Sequence, residues 1–306
     1  MALRDIKSKI KSVDRTRKVT KAMESVSAVK MRKSQIKALS GRPYARAALT
    51  ILERVSPALK TARHPLTETR TLKRAALIVV TSDKGLCGVL NAAVLKEFER
   101  RVAELGLSRD AIDIFAYGRK GAEHALRRGH TLRSRFDNIS DLISVSDLEA
   151  TVREVTIEYE KGTYDRVEVV YTNFYSTFEQ RSVSEIILPL AVESFRNIVT
   201  SIAPTKGAMH DVSFDATPVP FYTVEPSAES VISVLLPQLI SVFVYHMLLE
   251  GKASEHSARM VAMKNASDKS RDVSKLLTRT YNKLRQAAIT REVSEIVGGI
   301  EAMAKS

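Results

Sequence analysis

Apolar residues recur at steps of three and four from the start of the chain. They fall at Leu3, Ile6, Ile10 and Val13, then Val19, Met23, Val26 and Val29, then Ile36 and Leu39, with no glycine or proline before residue 41. That spacing predicts an amphipathic helix with one narrow stripe, too thin for a globular core and suited to a coiled-coil seam. Gly41-Arg42-Pro43 should stop or kink it. Because Tyr44, Ala47, Ala48, Ile51 and Val55 resume the pattern, a kinked helix to about residue 57 is expected, roughly 80 Å long at the usual rise.

The far end mirrors this. No glycine or proline occurs from Lys252 to Val297, and Val273, Leu277, Tyr281, Leu284 and Ala288 repeat about every 3.5 residues. Ahead of them Ala228–Leu249 reads as a greasier helix interrupted by Pro237, and Gly298-Gly299 reads as the stop.

The middle has a different texture. Ala75–Thr81 is a continuous apolar run followed by Ser82-Asp83-Lys84-Gly85, a buried strand and a turn. Helical periodicity at 89–105, 120–128 and 148–159 alternates with strand patterns at 111–117 and 164–175. Strands alternating with helices predict a mostly parallel sheet covered on both faces. Residues 196–226, rich in proline and polar side chains, read as connecting loops. The expected fold is α/β: a Rossmann-like domain over 75–215, with helices over 1–57 and 226–300 pairing as a long antiparallel coiled coil. Neither terminal stripe can be buried on the central domain along its whole length, so the two pack on each other.

Composition narrows the function. With 44% hydrophobic and 27% charged residues over 306 positions, the chain is of the globular class. No run of about 20 apolar residues occurs, so no membrane span is expected, and the basic start has no apolar stretch of the secretory kind. A single cysteine, Cys87, excludes an internal disulfide. The net charge of +13 calls for an acidic partner. It is concentrated at the start: Arg4 to Arg46 include fourteen Lys or Arg against Asp5, Asp14 and Glu24.

Three features could carry chemistry. Ser82–Gly88 lies where a strand meets a helix, a common phosphate site, but its glycines fit neither the Walker nor the dinucleotide pattern. A structural turn is the stronger reading. Cys87 with His124 or His130 could form a nucleophile pair, yet no orienting partner can be named, and a packed cysteine suffices. The histidines show no metal-ligand spacing. The basic face of the first helix fits a partner better than a merely solvated surface; DNA is one such partner, although the apolar stripe runs on through the basic region, unlike a bare basic arm.

The run Tyr281–Gly299 closely resembles the C-terminal signature of ATP synthase gamma subunits, through Ile289, Thr290, Glu292, Glu295 and Gly299; Ile300 departs from the family's alanine. The resemblance extends along the chain, through Ile6–Ile10, Val19–Glu24, Lys30–Lys33, Arg42–Ala45, Ser82–Gly88, Phe174–Gln180 and Ala258–Ala266. It implies a non-catalytic central rotor shaft of a proton-translocating synthase, with no cofactor. The partners would be a ring of three alpha and three beta subunits, the epsilon subunit and the c ring, with one copy per complex and no nucleic acid. The place would be the cytoplasmic face of the bacterial inner membrane, peripherally, in the F1 sector. On the same resemblance Met23 would pass an acidic beta-subunit loop, with Lys18, Lys21 and Lys30 facing it. Arg259, Arg285, Gln286, Thr290 and Glu295 would engage the ring or the N-terminal helix, and Tyr222 and Glu225 would lie in the foot near the c ring.

Overall fold

Strand β1 (Ala75–Val80) consists of six apolar residues, all buried. A strand apolar on both faces must be covered on both, which places it at the centre of a sheet. It pairs in parallel with β2 (Ile112–Tyr117) on one side and β4 (Arg166–Phe174) on the other. β3 (Thr131–Phe136) extends the sheet in parallel beyond β2, and β5 (Gln180–Leu188) closes the other edge antiparallel to β4. The order is β3-β2-β1-β4-β5. The structure, a computed structural model, describes residues 3–40, 47, 50, 51, 64–141, 143–190 and 227–304. The expected loops at 196–226 and the kink at 41–43 lie outside the described residues.

Two apolar layers follow from the alternation of side chains along the strands. On one face Leu77, Val79, Ile114 and Ala116 pack with Val94 and Phe98 of α2 (Leu90–Leu105) and Ala122 and Ala125 of α3 (Arg119–Arg127). On the other, Ala76, Ile78, Phe115 and Val169 pack with Leu148, Val152 and Val155 of α4 (Ser146–Glu160) and with the start of α5. α5 (Ala228–Ala304) is one helix of 77 residues that runs through Pro237. Its apolar stretch could cross a membrane by length and composition, but half of it is buried within the protein. Ile232, Leu236, Ile240, Phe243, Val244 and Met247 lie in the core of the sheet's second face. This stretch is a core helix, which accounts for an apolar run that the expectation of no span passed over. Gly251 sits where a Cβ would come 2.9 Å from Val80 Cγ1, so the close helix–strand approach requires a glycine there.

The chain divides into two compact units, Met1–Ser27 with Met260–Ser306, and Ala28–Arg259. In the first, α1 (Leu3–Ser40) and α5 pair: Asp14 Oδ1 accepts a hydrogen bond from Ser274 Oγ at 3.0 Å, and Ile6 is buried. In the second, Lys37 Nζ lies over the Tyr245 ring, 5.9 Å from its centre. Within this second unit Lys37 and Tyr245 meet the Ile143 carbonyl while Lys30 and His256 meet Asp141, so the two helices run antiparallel there, as expected.

Two expectations need correction. First, the seam of α1 is not the whole apolar stripe. Its buried and half-buried positions include the unbroken heptad series Leu3, Ile6, Ile10, Val13, Arg17, Thr20, Glu24, Ser27, Met31, Ser34, flanked by half-buried Asp14, Met23, Ala28, Gln35 and Lys37. Val19, Val26, Val29 and Ile36 are more than half exposed. The step from Val13 to Val19 is six residues, about 600° of helix, which displaces the later apolar residues a third of a turn from the seam. Second, Gly298-Gly299 does not stop α5, which continues to Ala304. A glycine ends a helix by adopting a left-handed conformation; neither of these two has a positive φ, so each weakens the helix without terminating it.

Candidate partner-contact surfaces

In the unit formed by the two chain ends, the N-terminal helix presents a mixed outer face. Val19 and Val26 are 59% and 54% exposed. Lys18 and Lys21 are exposed beside them, and Met23 is half-buried. Lys21 forms an ion pair with Glu24 at 3.0 Å. Exposed valines alternating with lysines cover no part of their own unit; such a surface suits a partner that is apolar and acidic at once.

The same unit holds the end of α5. Tyr281 and Ala288 are half-buried, whereas every described side chain from Ile289 to Ile300 is exposed. Ile289, Val293, Ile296 and Ile300 follow one another at steps of four, three and four, and are 51–63% exposed. This is a helical apolar stripe without a covering surface among the described residues of the unit. Thr290 and Glu295 lie on this exposed stretch, and Arg285 and Gln286, also exposed, lie one turn before it. Tyr222 and Glu225 lie outside the described residues.

Lys30 and Arg259 are placed differently. Both belong to the unit that contains the sheet. Lys30 Nζ is 2.7 Å from Asp141 Oδ2. Arg259 is buried, donates from Nη2 to the carbonyls of Lys84 at 3.3 Å and Gly85 at 3.4 Å, and pairs with Glu255 at 2.8 Å. Arg259 thus joins the Ala258–Ala266 segment to the Ser82–Gly88 turn.

That contact decides how the turn is used. In open sheets of this kind, ligands bind beyond the carboxyl ends of the strands where the strand order reverses, here between β1 and β4. α5 fills that place: besides Arg259, Ser254 Oγ donates to the carbonyl of Thr172 at 3.2 Å and Ser257 Oγ to that of Thr177 at 2.7 Å. Within the turn Ser82 Oγ donates to the Lys84 carbonyl at 2.7 Å, and Asn91 Nδ2 lies 3.2 Å from Cys87 Sγ. Cys87 is buried. His124 pairs instead with Glu99 at 2.6 Å, and His124 and His130 flank Phe98 edge-on. The turn therefore has a structural use, and Cys87 packs among Ser82 and Asn91 rather than with either histidine. Among the described residues no group of three or more His, Cys, Asp or Glu could hold a metal ion.

Reasoning from sequence missed Asp141 and His256. Their side chains meet at 2.6 Å although the residues are 115 positions apart, and nothing in the local pattern of either marks the partner.

Comparison with known proteins bears on the family of the chain. The ATP synthase family model matches residues 2–303. The chain is 37% identical over 301 residues to the ATP synthase gamma chain of Heliobacterium modesticaldum, covering 98% of this chain and 99% of that one. It is 40% identical over 300 residues to that of Ralstonia nicotianae, with 98% and 99% covered. Among solved structures, the central stalk and c-ring of the Tetrahymena thermophila mitochondrial ATP synthase contain a chain 27% identical with a TM-score of 0.59, matching 81% of this chain and 99% of that one.

Proposed function

The chain belongs to the ATP synthase gamma-chain family, and from that premise we infer how its helices carry the family's central-stalk coupling role. It is a non-catalytic subunit that couples rotation of the c ring to conformational change at the catalytic beta subunits. It is peripheral, part of the F1 sector at the membrane face. Its partners are the ring of three alpha and three beta subunits, the epsilon subunit and the c ring.

The observation that carries this reading is the stripe Ile289, Val293, Ile296 and Ile300, exposed on a helix that no described residue of its unit covers. An apolar stripe in water costs free energy in proportion to its area, which a surrounding protein sleeve relieves. Arg285, Gln286, Thr290 and Glu295 supply polar contacts to the same sleeve. Lower on the shaft, Lys18, Lys21 and Met23 face an acidic collar on a beta subunit. Exposed ion pairs are each weak and screened by salt, so contacts of this kind can exchange as the shaft turns. Lys30, already paired with Asp141, borders the collar rather than anchoring it.

Copurification tests the reading. The tagged chain should recover alpha and beta subunits with ATPase activity from cell membranes. Recovery of the chain alone, or bound to nucleic acid with a steep salt dependence, would sink it in favour of a basic coiled-coil protein that binds DNA.

A further inference from the structure

A shaft of two helices turns with the α/β domain through whatever fixes each helix to it. Within the unit Ala28–Arg259 the two are fixed in different ways. α5 is held by apolar burial, with Leu236, Leu239, Ile240, Phe243 and Val244 almost wholly inaccessible. α1 reaches the domain through polar contacts on the loop between β3 and α4. Lys30 Nζ lies 2.7 Å from Asp141 Oδ2, and Lys37 Nζ donates to the Ile143 carbonyl.

α5 grips the same loop. The Tyr245 hydroxyl donates to the Ile143 carbonyl at 3.1 Å, and Lys252 Nζ donates to the Ile139 carbonyl at 3.2 Å. His256 Nε2 lies 2.6 Å from Asp141 Oδ1. The two oxygens of Asp141 are thus divided between the helices, one to Lys30 of α1 and one to His256 of α5.

The arrangement continues behind the histidine. Arg259 Nη1 lies 3.5 Å from His256 Nδ1. An arginine can only donate, so Nδ1 accepts and the ring hydrogen sits on Nε2, aimed at Asp141. Burial, opposed by Glu255 and Asp141 and assisted by Arg259, lowers the pKa of His256, in keeping with a neutral ring. Burial opposes the charge on Asp141, yet Lys30 and His256 outweigh it and hold its pKa low. With Arg259 donating to the Lys84 and Gly85 carbonyls, one chain of contacts ties the β1 turn, α5, the β3–α4 loop and α1 together. Such networks hold geometry better than isolated pairs.

We propose that Asp141 is a positioning residue that keeps α1 in register with α5 at the α/β domain, so that tight coupling between rotation and catalysis depends on it. The proposal rests on the central-stalk reading above and adds a residue to it.

The test uses the complete synthase in membrane vesicles carrying Asp141→Asn. The amide cannot pair with Lys30, although it can still accept from His256. Expected is an assembled complex that hydrolyses ATP, with a loss of ATP-driven proton pumping per ATP hydrolysed. Amide exchange across residues 28–40 of the assembled complex should rise at the same time. Asp141→Glu, which keeps the charge, should restore both readouts. Unchanged pumping per ATP with unchanged exchange would overturn the proposal. So would a lower yield of complexes that each pump normally, since that outcome means a folding role only. Failure of the wild-type chain to join the ring would instead remove the central-stalk reading, a result distinct from either.

Discussion

Replacing Arg101 by methionine isolates a buried charge. Glu168 sits on β4, paired with Leu77 of β1, and its side chain is 0% exposed. Arg101 of α2 reaches it with two hydrogen bonds, Nε to Oε2 at 2.9 Å and Nη2 to Oε1 at 2.6 Å. This bidentate pair fastens α2 to the sheet, and Glu168 in turn raises the pKa of Arg101. Removing one partner of a buried pair typically costs about 3–5 kcal/mol, because the other charge stays behind without compensation. Arg166 stands 3.8 Å from Glu168 and supplies part of the missing charge, which places the expected loss near the lower end, at about 3 kcal/mol. Each kcal/mol shifts the midpoint of a domain of this size by roughly 2–4 °C, so a fall of about 6–12 °C is expected. The double variant Arg101→Met, Glu168→Leu removes both charges and should recover most of the loss, since apolar replacements of buried pairs are often neutral. Thermal and urea melts of the full chain, followed by circular dichroism, read both variants. A single variant within about 1 kcal/mol of wild type, or a double variant less stable than the single, would refute the reasoning.

Other perturbations test other parts of the account. Gly118→Ala should prevent normal folding: φ is 102°, and the added Cβ would lie 2.1 Å from the Thr81 carbonyl oxygen, so soluble yield of the variant decides it. Changing Ile289, Val293 and Ile296 together to serine should leave the melt of the chain nearly unchanged, because all three are exposed, while weakening capture of the alpha and beta ring in a pull-down. Acidification from pH 7 should lower the melting temperature. His64, His130 and His256 all have pKa values depressed below 6.5 by burial, so below that pH the unfolded chain takes up more protons than the folded one. Their stabilisation is complete above 6.5 and is lost as pH falls through the folded values; a melting temperature flat from pH 7 to 5 would contradict this.

Much of the architecture was legible in the sequence because its signals are local. The apolar run of β1 and the uninterrupted helical periodicity of both chain ends need no tertiary information. β3 escaped notice because its residues Thr-Leu-Arg-Ser-Arg-Phe mark an edge strand, with only every second side chain half-buried. The true seam of α1 was hidden because its second half is built of Thr20, Ser27 and Ser34, small polar residues that no hydrophobic pattern reveals. The family motifs pointed to Arg259 but not to its use, since its carbonyl partners lie some 175 residues earlier. Asp141 and His256 illustrate the same limit: their pairing exists only after the loop and the helix have been brought together.

Rotation of this chain inside a ring of catalytic subunits can be watched directly. The most direct measurement fixes the alpha and beta ring to a surface, attaches a bead to the chain and adds ATP. Unidirectional rotation of the bead, stopping when ATP is withdrawn, is the predicted result. A bead that stays fixed while the same complexes hydrolyse ATP would contradict the account.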